Sequence, residues 1–322
     1  MNDNTYSRRH FLTSLAAAGA ALPFAGLAAA SKPASTIAAN NLTLCVFSKH
    51  LHWLPYAEMA KAAKQMGFDG VDLTVRPDGH VVPERVTEDL PRAVDIIRKA
   101  GLEVPMITTA ITDPAAKDTE SIIKAASKAG IKYYRTGWLN YDKTLGVAKS
   151  LEKYKGQIAA LAALNQKYNI HGAYQNHTGI GVGGPVWDIW ELIKDLDPKY
   201  FGCQYDLKHA TVEGANSWIH GYDLLKNHIK TVDIKDVIWQ KKGDKWQPEI
   251  VPLGEGMADY KTFLALLRKD NFSGPMALHY EYPLGGAESG KKQITVAPEV
   301  VFKAMKRDLE TLRSMLKQAN FS

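Results

Sequence analysis

The sequence predicts an α/β fold in which one domain of eight parallel strands and eight helices closes into a barrel. Three observations predict it. From residue 42 onward, short apolar runs rich in Val, Ile and Tyr alternate with longer amphipathic segments, giving eight strand–helix units. Gly67, Gly101 and Gly130 each follow a helical pattern and precede an apolar run, as helix C-caps do. The length of 322 residues accommodates a (β/α)8 barrel, which typically needs about 250 residues.

The elements follow one another in a regular order. The predicted strands are Thr43–Ser48, Gly70–Val75, Glu103–Thr109, Lys132–Gly137, Gly172–His177, Phe201–Asp206, Ile229–Lys235 and Met276–Tyr282. The predicted helices are Pro55–Met66, Val86–Ala100, Thr119–Ala129, Asp142–Tyr168, Pro185–Leu196, Gly221–Asn227, Asp259–Arg268 and Ala297–Ala319. An open doubly wound sheet is the competing architecture, but no Gly-x-Gly-x-x-Gly follows the first strand. The glycine cluster from Gly179 to Gly184 follows the fifth strand, where a flexible active-site loop explains it better.

Residues 1–30 have the pattern of an export signal. Adjacent Arg8 and Arg9 precede a mildly apolar run from Leu15 to Ala30, which is typical of a twin-arginine signal peptide. An uncleaved anchor is the alternative, but the run is about 16 residues long, shorter than the roughly 20 that a membrane span needs. We therefore expect an export signal at 1–30, a linker at 31–41, a catalytic barrel at 42–322 and a periplasmic location.

The net charge and the two cysteines exclude few possible functions. Removing residues 1–30 takes away Asp3, Arg8 and Arg9, so the formal net charge falls from +6 to +5. A balance of this size without a block of Lys or Arg is typical of a solvated surface and favours an anionic partner only weakly. Cys45 and Cys203 lie in apolar runs, which predicts small buried side chains rather than a disulfide or a nucleophile.

Polar clusters end four of the predicted strands in the second half of the chain. They are Gln175-Asn176-His177, Asp206-Leu207-Lys208-His209, Asp233-Ile234-Lys235-Asp236 and His279-Tyr280-Glu281. In a parallel barrel the functional site lies at the carboxyl ends of the strands, so these clusters predict one site rich in oxygen and imidazole groups. Since side chains alternate along a strand, residues two apart, such as Gln175 and His177, share the inward face.

These clusters, with the segment Gly67-Phe68-Asp69-Gly70-Val71-Asp72-Leu73, resemble the sugar isomerase/epimerase superfamily with a xylose isomerase-like barrel, which also contains abasic-site endonucleases. The resemblance covers about residues 42–318 in element order. It implies one divalent cation, Mn, Mg, Co or Zn, held at the ends of strands five to eight. The residues at the corresponding positions are Gln175, Asp206, Asp233 and His279. Only Asp206 keeps the residue type of the family, but three oxygen donors and one imidazole still suit a divalent metal.

The resemblance also implies the chemistry. The metal would polarise a sugar carbonyl, and a nearby base would remove the proton from the adjacent carbon. The candidate catalytic residues are His177, His209, Lys235 and Glu281, with His279 as a further candidate base. Gln175 stands where epimerising relatives use a glutamate to move a proton, and an amide cannot do this. A single-base reaction is therefore favoured over two-carboxylate epimerisation.

Substrate contacts are expected around the same site. The candidates are His50, Arg135, which ends a strand, and Trp239, which flanks a predicted excursion after strand seven. The indole of Trp239 would lie on the face of a pyranose ring. Lys49, His52, Arg76 and His80 also follow strands and are either substrate contacts or ordinary loop residues.

We therefore expect a metal-dependent enzyme that acts on an unphosphorylated keto-sugar or keto-glycoside, because sugar phosphates are held in the cytoplasm. The outcome would be β-elimination, as in a lyase of 3-keto-glycosides, or isomerisation. The expected partner is a small carbohydrate, with no nucleic acid and no membrane after signal cleavage, and homo-oligomerisation is left open. A sugar isomerase or epimerase proper and a non-catalytic carbohydrate-binding barrel are the alternatives. An abasic-site endonuclease is disfavoured, because the chain lacks the additional His, Glu and Asp ligands of a three-zinc site.

Overall fold

Eight parallel strands form a closed barrel, as the sequence predicts. The computed structural model describes residues 42–321. The strands are β1 (Leu44–Phe47), β2 (Gly70–Val75), β3 (Glu103–Thr109), β4 (Tyr133–Arg135), β5 (His171–Gln175), β6 (Phe201–Asp206), β7 (Ile229–Ile234), β8 (Asp236–Lys242), β9 (Lys245–Val251) and β10 (Met276–Leu278). Strands β1 to β7 pair in sequence order, and β10 pairs with both β7 and β1 to close the sheet. Strands β8 and β9 form a separate antiparallel hairpin.

Helices surround the barrel. They are α1 (Tyr56–Met66), α2 (Val86–Lys99), α3 (Thr119–Lys128), α4 (Gly146–Tyr168), α5 (Val186–Ile193), α6 (Leu207–Gly214), α7 (Trp218–Leu225), α8 (Tyr260–Lys269) and α9 (Pro298–Gln318). Neighbouring helices pack against each other, and α9 packs against both α8 and α1. The helical layer thus closes on itself as the sheet does.

Glycine follows the first three helices at the positions that the sequence predicted. Gly67 follows α1 with a φ of 100°, and Gly101 and Gly130 have φ values of 78° and 74°. This left-handed region favours glycine because glycine has no Cβ to meet the carbonyl oxygen. Each of these helices therefore ends at or just before its glycine, and the chain continues into the next parallel strand.

Two elements differ from the prediction. Helix α6 begins directly after β6, because the Asp206 carboxylate accepts a hydrogen bond from the backbone N–H of His209 and caps the helix. The polar cluster 206–209 was predicted only as a strand end. The predicted excursion after strand seven is an antiparallel hairpin, β8–β9. The other boundaries differ by a few residues at the ends of elements.

The hydrophobic core lies between the barrel and the helices. Tyr174, Val232, Ile234 and Leu278, which the alternation along the strands placed on the outward face, are all buried in this core. Cys45 and Cys203 are buried and unpaired, which confirms their prediction as small core residues.

The predicted export signal (residues 1–30) and linker (31–41) lie outside the residues that the structure describes. Within residues 42–321, no helix combines the length and the apolar character that a membrane span requires.

Candidate active site at the carboxyl end of the barrel

Gln175, Asp206 and Asp233 meet at the carboxyl end of the barrel because adjacent strands place them side by side. Asp206 lies opposite Asp233 in the β6–β7 pair, and Gln175 ends the neighbouring strand β5. All three side chains are buried. Nε2 of Gln175 donates to Oδ2 of Asp206 at 3.0 Å and also to Oδ2 of Asp233. One amide group therefore bridges two of the predicted metal ligands.

His279, the fourth predicted ligand, follows β10 and faces the same cluster. Its Nε2 lies 3.1 Å from Oδ1 of Asp233, but not in hydrogen-bonding geometry, and neither ring nitrogen has a hydrogen-bond partner among the described residues. The His279 ring stacks on Phe47 with the ring centroids 4.3 Å apart. Asp233 also accepts hydrogen bonds of 2.8 and 2.9 Å from Nε2 of Gln204. Burial opposes ionisation of Asp233, but His279 and Gln204 outweigh it and lower the pKa of this carboxyl.

Lys235 lies between Asp206 and Glu281. Nζ of Lys235 is 3.2 Å from Oδ2 of Asp206 and 3.0 Å from Oε2 of Glu281, whose other oxygen is 2.7 Å from Nζ of Lys49. Burial lowers the pKa of Lys235, but Asp206 and Glu281 outweigh it and raise the pKa above its ordinary value. Burial likewise opposes ionisation of Glu281, yet Lys235 and Lys49 hold its pKa well below the usual range. Lys235 is therefore an ammonium and Glu281 a carboxylate.

The rings of His177 and His209 lie next to each other at the edge of the site, with centroids 4.0 Å apart and planes tilted by 39°. Nδ1 of His177 lies 2.9 Å from the carbonyl oxygen of Thr178, which can only accept, so Nδ1 carries the proton and Nε2 keeps its lone pair. Nδ1 of His209 instead accepts from the backbone N–H of Thr178 at 3.0 Å, so its proton is on Nε2, 3.5 Å from Oδ2 of Asp206. Of these two predicted catalytic histidines, only His177 has a free basic nitrogen.

Burial is the main reason that both histidines are neutral. With Lys235 nearby, it lowers the pKa of His177 to about 4 and holds the pKa of His209 well below its ordinary value. A neutral imidazole with an unprotonated Nε2 can accept a proton at neutral pH.

A small cavity opens onto this arrangement. It is lined by Phe47, Lys49, Arg76, Arg135, Trp138, Gln175, His177, Lys235, His279 and Glu281. Its volume of about 40 Å³ is far below the roughly 300–1,000 Å³ of typical small-molecule sites. A bound monosaccharide therefore has to displace side chains or lie partly in the mouth of the barrel.

Two arginines in this wall have no carboxylate partner within residues 42–321. Arg135 is 2% exposed, donates from Nη1 to Oε1 of Gln175 at 3.1 Å and has an unpartnered Nε. Its guanidinium lies 4.2 Å from the Trp138 ring centroid. Arg76 lies over Phe47, with its guanidinium carbon 5.6 Å from the ring centroid. Both groups are available for substrate oxygen atoms.

Asp72 is a buried acid that sequence reasoning did not assign to the site. It lies on β2 and accepts a hydrogen bond from Oγ1 of Thr108 on β3. Burial, together with the nearby carboxylate of Asp233, raises the pKa of Asp72 to about 6. Its charge in the otherwise uncharged strand β2 is a signal that could have identified it, but it lies inside the strand and not at its carboxyl end. Phe47 and Trp138, which the sequence reasoning also did not assign to the site, lie at or after strand ends.

Two predicted substrate contacts are not part of the cavity wall, although the His50 ring lies beside the wall residues Phe47 and His279. His50 is fully buried, its Nδ1 lies 3.1 Å from the carbonyl oxygen of Ala287, and its Nε2 accepts from the backbone N–H of Tyr280 at 3.1 Å. Trp239 lies on strand β8 of the hairpin and is 40% exposed. The structure does not bring either side chain into the cavity wall, and their role in substrate binding stays a prediction.

The donor atoms around the four predicted metal ligands do not fit a divalent cation. The carboxylate oxygens of Asp206 and Asp233 already receive N–H groups from Gln175, Gln204 and Lys235 and from the backbone of His209. The Gln175 amide turns its NH2, not its oxygen, towards both aspartates. Throughout residues 42–321, no group of three or more His, Cys, Asp or Glu side chains is arranged to hold a metal ion.

Comparison with known proteins supports the architecture. A family model described as a xylose isomerase-like TIM barrel matches residues 60–301. No curated protein sequence matches the chain.

Several solved structures share the fold. A D-tagatose 3-epimerase-like protein has a TM-score of 0.63 at 16% identity, covering 87% of this chain and 98% of its own. The 3-keto-D-glucoside 4-epimerase of E. coli has a TM-score of 0.60 at 14% identity, covering 85% of this chain and 99% of its own. A xylose isomerase-like TIM barrel protein from Mycobacterium smegmatis, in complex with magnesium, has a TM-score of 0.61 at 15% identity, covering 86% and 99%. At these identities the similarity shows the fold alone.

Proposed function

Because the chain belongs to the xylose isomerase-like TIM barrel family, we propose that it is a carbohydrate-active enzyme of the sugar isomerase/epimerase type. In this proposal it removes a proton from the carbon next to the carbonyl of an unphosphorylated keto-sugar or keto-glycoside. The electron pair left on that carbon then drives isomerisation or, where a leaving group is attached to the next carbon, β-elimination. The export signal predicted at residues 1–30 supports an unphosphorylated substrate.

The observation that carries this proposal is the free Nε2 of His177. Thr178 fixes the proton on Nδ1, and the ring lines the cavity. The alternative bases are less suited. His209 has no free lone pair, and Glu281 is held between two lysines. Both ring nitrogens of His279 are buried, and its Nε2 lies against Asp233. We therefore assign the base to His177.

Arg76 and Arg135 support substrate binding through oxygen atoms. Each guanidinium presents N–H donors in a fixed plane, and neither has a carboxylate partner in the part of the chain that the structure describes. Hydroxyl and carbonyl oxygens of a sugar satisfy such donors. The ring of Trp138 beside Arg135 and His177 offers an apolar face to the same ligand.

The substrate class has support from the relatives. Among the similar structures are a 3-keto-D-glucoside 4-epimerase and a D-tagatose 3-epimerase-like protein, which makes keto-sugars the first substrates to test. Epimerisation with two carboxylates on opposite faces is disfavoured here, because Gln175 cannot accept a proton. This favours one-base chemistry, with elimination or isomerisation as its products.

The divalent metal expected from the sequence stays a prediction. Because the donor arrangement described above does not fit a divalent cation, no step of the proposed reaction is assigned to one.

The test is incubation with 3-keto-glucosides and with free ketoses in deuterated solvent, followed by NMR. We expect deuterium to enter the position next to the carbonyl, with aglycone release for elimination or sugar interconversion for isomerisation. His177→Asn keeps a donor to Thr178 but removes Nε2, and should slow exchange about 100-fold or more. His220→Asn changes an exposed histidine and serves as the matched control. Absence of exchange with every keto-sugar, or full activity of His177→Asn, would contradict the proposal.

A further inference from the structure

We infer that the ammonium group of Lys235, which lies against Asp206, takes the part of a divalent cation and stabilises the negative charge on the substrate oxygen without a metal. This inference deepens the proposed function and rests on it for the identity of the reaction. The electrostatic argument itself depends only on the side chains of the site.

Two buried carboxylates at the site require positive charge nearby. Asp206 and Asp233 are fully buried and lie opposite each other on β6 and β7. Two such charges are strongly unfavourable in a protein interior unless positive charge and hydrogen bonds compensate them. Lys235 supplies that charge, with Nζ 3.2 Å from Oδ2 of Asp206, and extends it to Glu281 at 3.0 Å. The chain therefore supplies one positive charge and several hydrogen-bond donors to these aspartates without a metal ion.

Both oxygens of each aspartate already receive hydrogen-bond donors. Asp206 accepts from Nε2 of Gln175 at 3.0 Å and from the backbone N–H of His209 at 3.1 Å, besides its contact with Lys235. Asp233 accepts from Gln204 through both oxygens and from Gln175 through Oδ2. A cation entering this space would have to displace several buried donors at once and leave them unsatisfied.

Arg135 fixes the amide of Gln175 in the orientation that repels a cation. Oε1 of Gln175 accepts from Nη1 of Arg135 at 3.1 Å, while its NH2 faces the aspartates. Turning the amide over would place its NH2 against the guanidinium and its oxygen against two carboxylates. The position that would supply an oxygen ligand therefore supplies donors.

Lys235 retains a donor for the substrate. An ammonium has three N–H groups, of which Asp206 and Glu281 engage two, and Lys235 lines the cavity. The third N–H can bind the substrate carbonyl oxygen. As the carbon-bound proton moves to Nε2 of His177, the electron pair of the C–H bond shifts into an enolate, and its oxygen is stabilised by Lys235. For isomerisation, the proton of the hydroxyl on the deprotonated carbon passes to the enolate oxygen, and Nε2 of His177 returns its proton to the former carbonyl carbon. For elimination, the enolate re-forms the carbonyl and a carbon–carbon double bond as the leaving group departs from the next carbon with its bonding electrons.

The first experiment measures metal binding to the wild-type protein without substrate. Protein dialysed against buffer with Mn²⁺ is assayed for bound metal by elemental analysis, and Mn²⁺ is titrated by calorimetry. We expect far less than one equivalent of bound metal and no binding heat. One equivalent of bound Mn²⁺ would overturn the inference, whatever the enzyme does to sugars.

The second experiment follows α-proton exchange in Lys235 variants. Lys235→Met should slow exchange by about 100-fold or more, as removal of a donor to a developing oxyanion does, while EDTA should not affect the wild type. Lys245→Met, at an exposed lysine of the hairpin, is the matched control. If Lys235→Met does not fold, Lys235→Arg, which keeps the charge, is compared by kcat and KM, and a fall in kcat with unchanged KM is expected from the displaced donor.

The two proposals fail in distinguishable ways. If the wild type exchanges no proton with any keto-sugar, the proposed function fails, and the metal measurement still decides whether Lys235 replaces a cation. If exchange occurs but EDTA abolishes it and Mn²⁺ restores it, the proposed function is supported and the inference about Lys235 is contradicted.

Discussion

At the scale of single residues, hydrogen-bond partners determine what each polar group can do. Thr178 offers its carbonyl oxygen to His177 and its N–H to His209, so neighbouring imidazoles carry their protons on different nitrogens. In the same way Arg135 decides which end of the Gln175 amide faces the aspartates. Residue types alone identify candidate catalytic residues. Their hydrogen-bond partners then show which candidate can accept a proton.

His171 allows a prediction about pH at this scale, away from the site. It begins β5, its Nδ1 lies 3.2 Å from the carbonyl oxygen of Lys199, and Nε2 is buried without a partner in the described chain. Burial lowers the pKa of His171 to about 4 from its ordinary 6.5. Between these values the unfolded chain binds the proton and the folded protein does not. Stability from this group is therefore full above pH 6.5 and is lost as the pH falls towards 4, by up to about 3 kcal/mol.

The measurement is urea unfolding from pH 7.5 down to pH 4.5 for the wild type and His171→Asn, which retains a donor to Lys199 but has no titrating group. Other histidines contribute equally to both proteins, so the difference between the two curves isolates His171. We expect the variant to lose less stability on acidification. Parallel curves would show that His171 does not carry this dependence.

At the scale of elements, side-chain hydrogen bonds join the ends of neighbouring strands, in addition to the backbone hydrogen bonds between the strands. Asn176 follows β5, is fully buried and bonds both backbone groups of Asp206 on β6: Oδ1 accepts its N–H at 2.8 Å, and Nδ2 donates to its carbonyl oxygen at 2.9 Å. Asp206 in turn caps α6. Asn176 therefore positions the aspartate of the site through the backbone.

Replacing Asn176 should test this link. Asn176→Ala removes both of these buried hydrogen bonds to the backbone of Asp206, and should lower the free energy of unfolding by roughly 2–4 kcal/mol. Asn227→Ala, at an exposed position, should change it by less than about 0.5 kcal/mol. Chemical denaturation measures both. Equal stability of the two variants would mean that water replaces the Asn176 amide at the strand end.

At the scale of the whole molecule, closure of the barrel assembles the site. Residues more than a hundred positions apart in the chain meet there, such as Lys49 after β1 and Glu281 after β10. The β8–β9 hairpin takes no part in the closed sheet. Its side chains are mostly exposed from Trp239 to Gln247.

The hairpin should therefore be dispensable for folding. Residues 239–248 can be replaced by Asn-Gly, a two-residue hairpin turn, because Ile238 and Glu249 are direct partners in the ladder. We expect the free energy of unfolding to change by less than about 1 kcal/mol, since the barrel keeps all its strands. Loss of cooperative unfolding would show that the barrel depends on the hairpin.

The same deletion tests the predicted sugar contact of Trp239. If its indole lies on the substrate, the affinity for a keto-sugar should fall several-fold, as measured by the KM of the exchange reaction. Trp239→Ala in the intact hairpin separates this contact from the loss of the other residues. Unchanged KM in both proteins would remove Trp239 from the substrate site.

Patterns in the amino-acid sequence were sufficient to predict the barrel and the end of it at which polar side chains gather. Apolar periodicity and the glycines after the helices are local signals, and they predicted all eight barrel strands. The alternation along parallel strands predicted that Gln175, Asp206, Asp233 and His279 would meet at one end. Helix α6 was not predicted from the sequence, because its N-cap residue, Asp206, is also the last residue of strand β6.

How the buried charges of the site are compensated, and which histidine keeps a free nitrogen, follow from contacts in the folded protein. Lys235 faces Asp206 across two strands, Arg135 fixes Gln175, and Thr178 sets the protons of two histidines. Apart from the contact between the neighbours His177 and Thr178, these contacts join residues that are far apart in the chain. Charge and hydrogen bonding act through space, so the sequence can name the groups of the site but not the partner that each one takes.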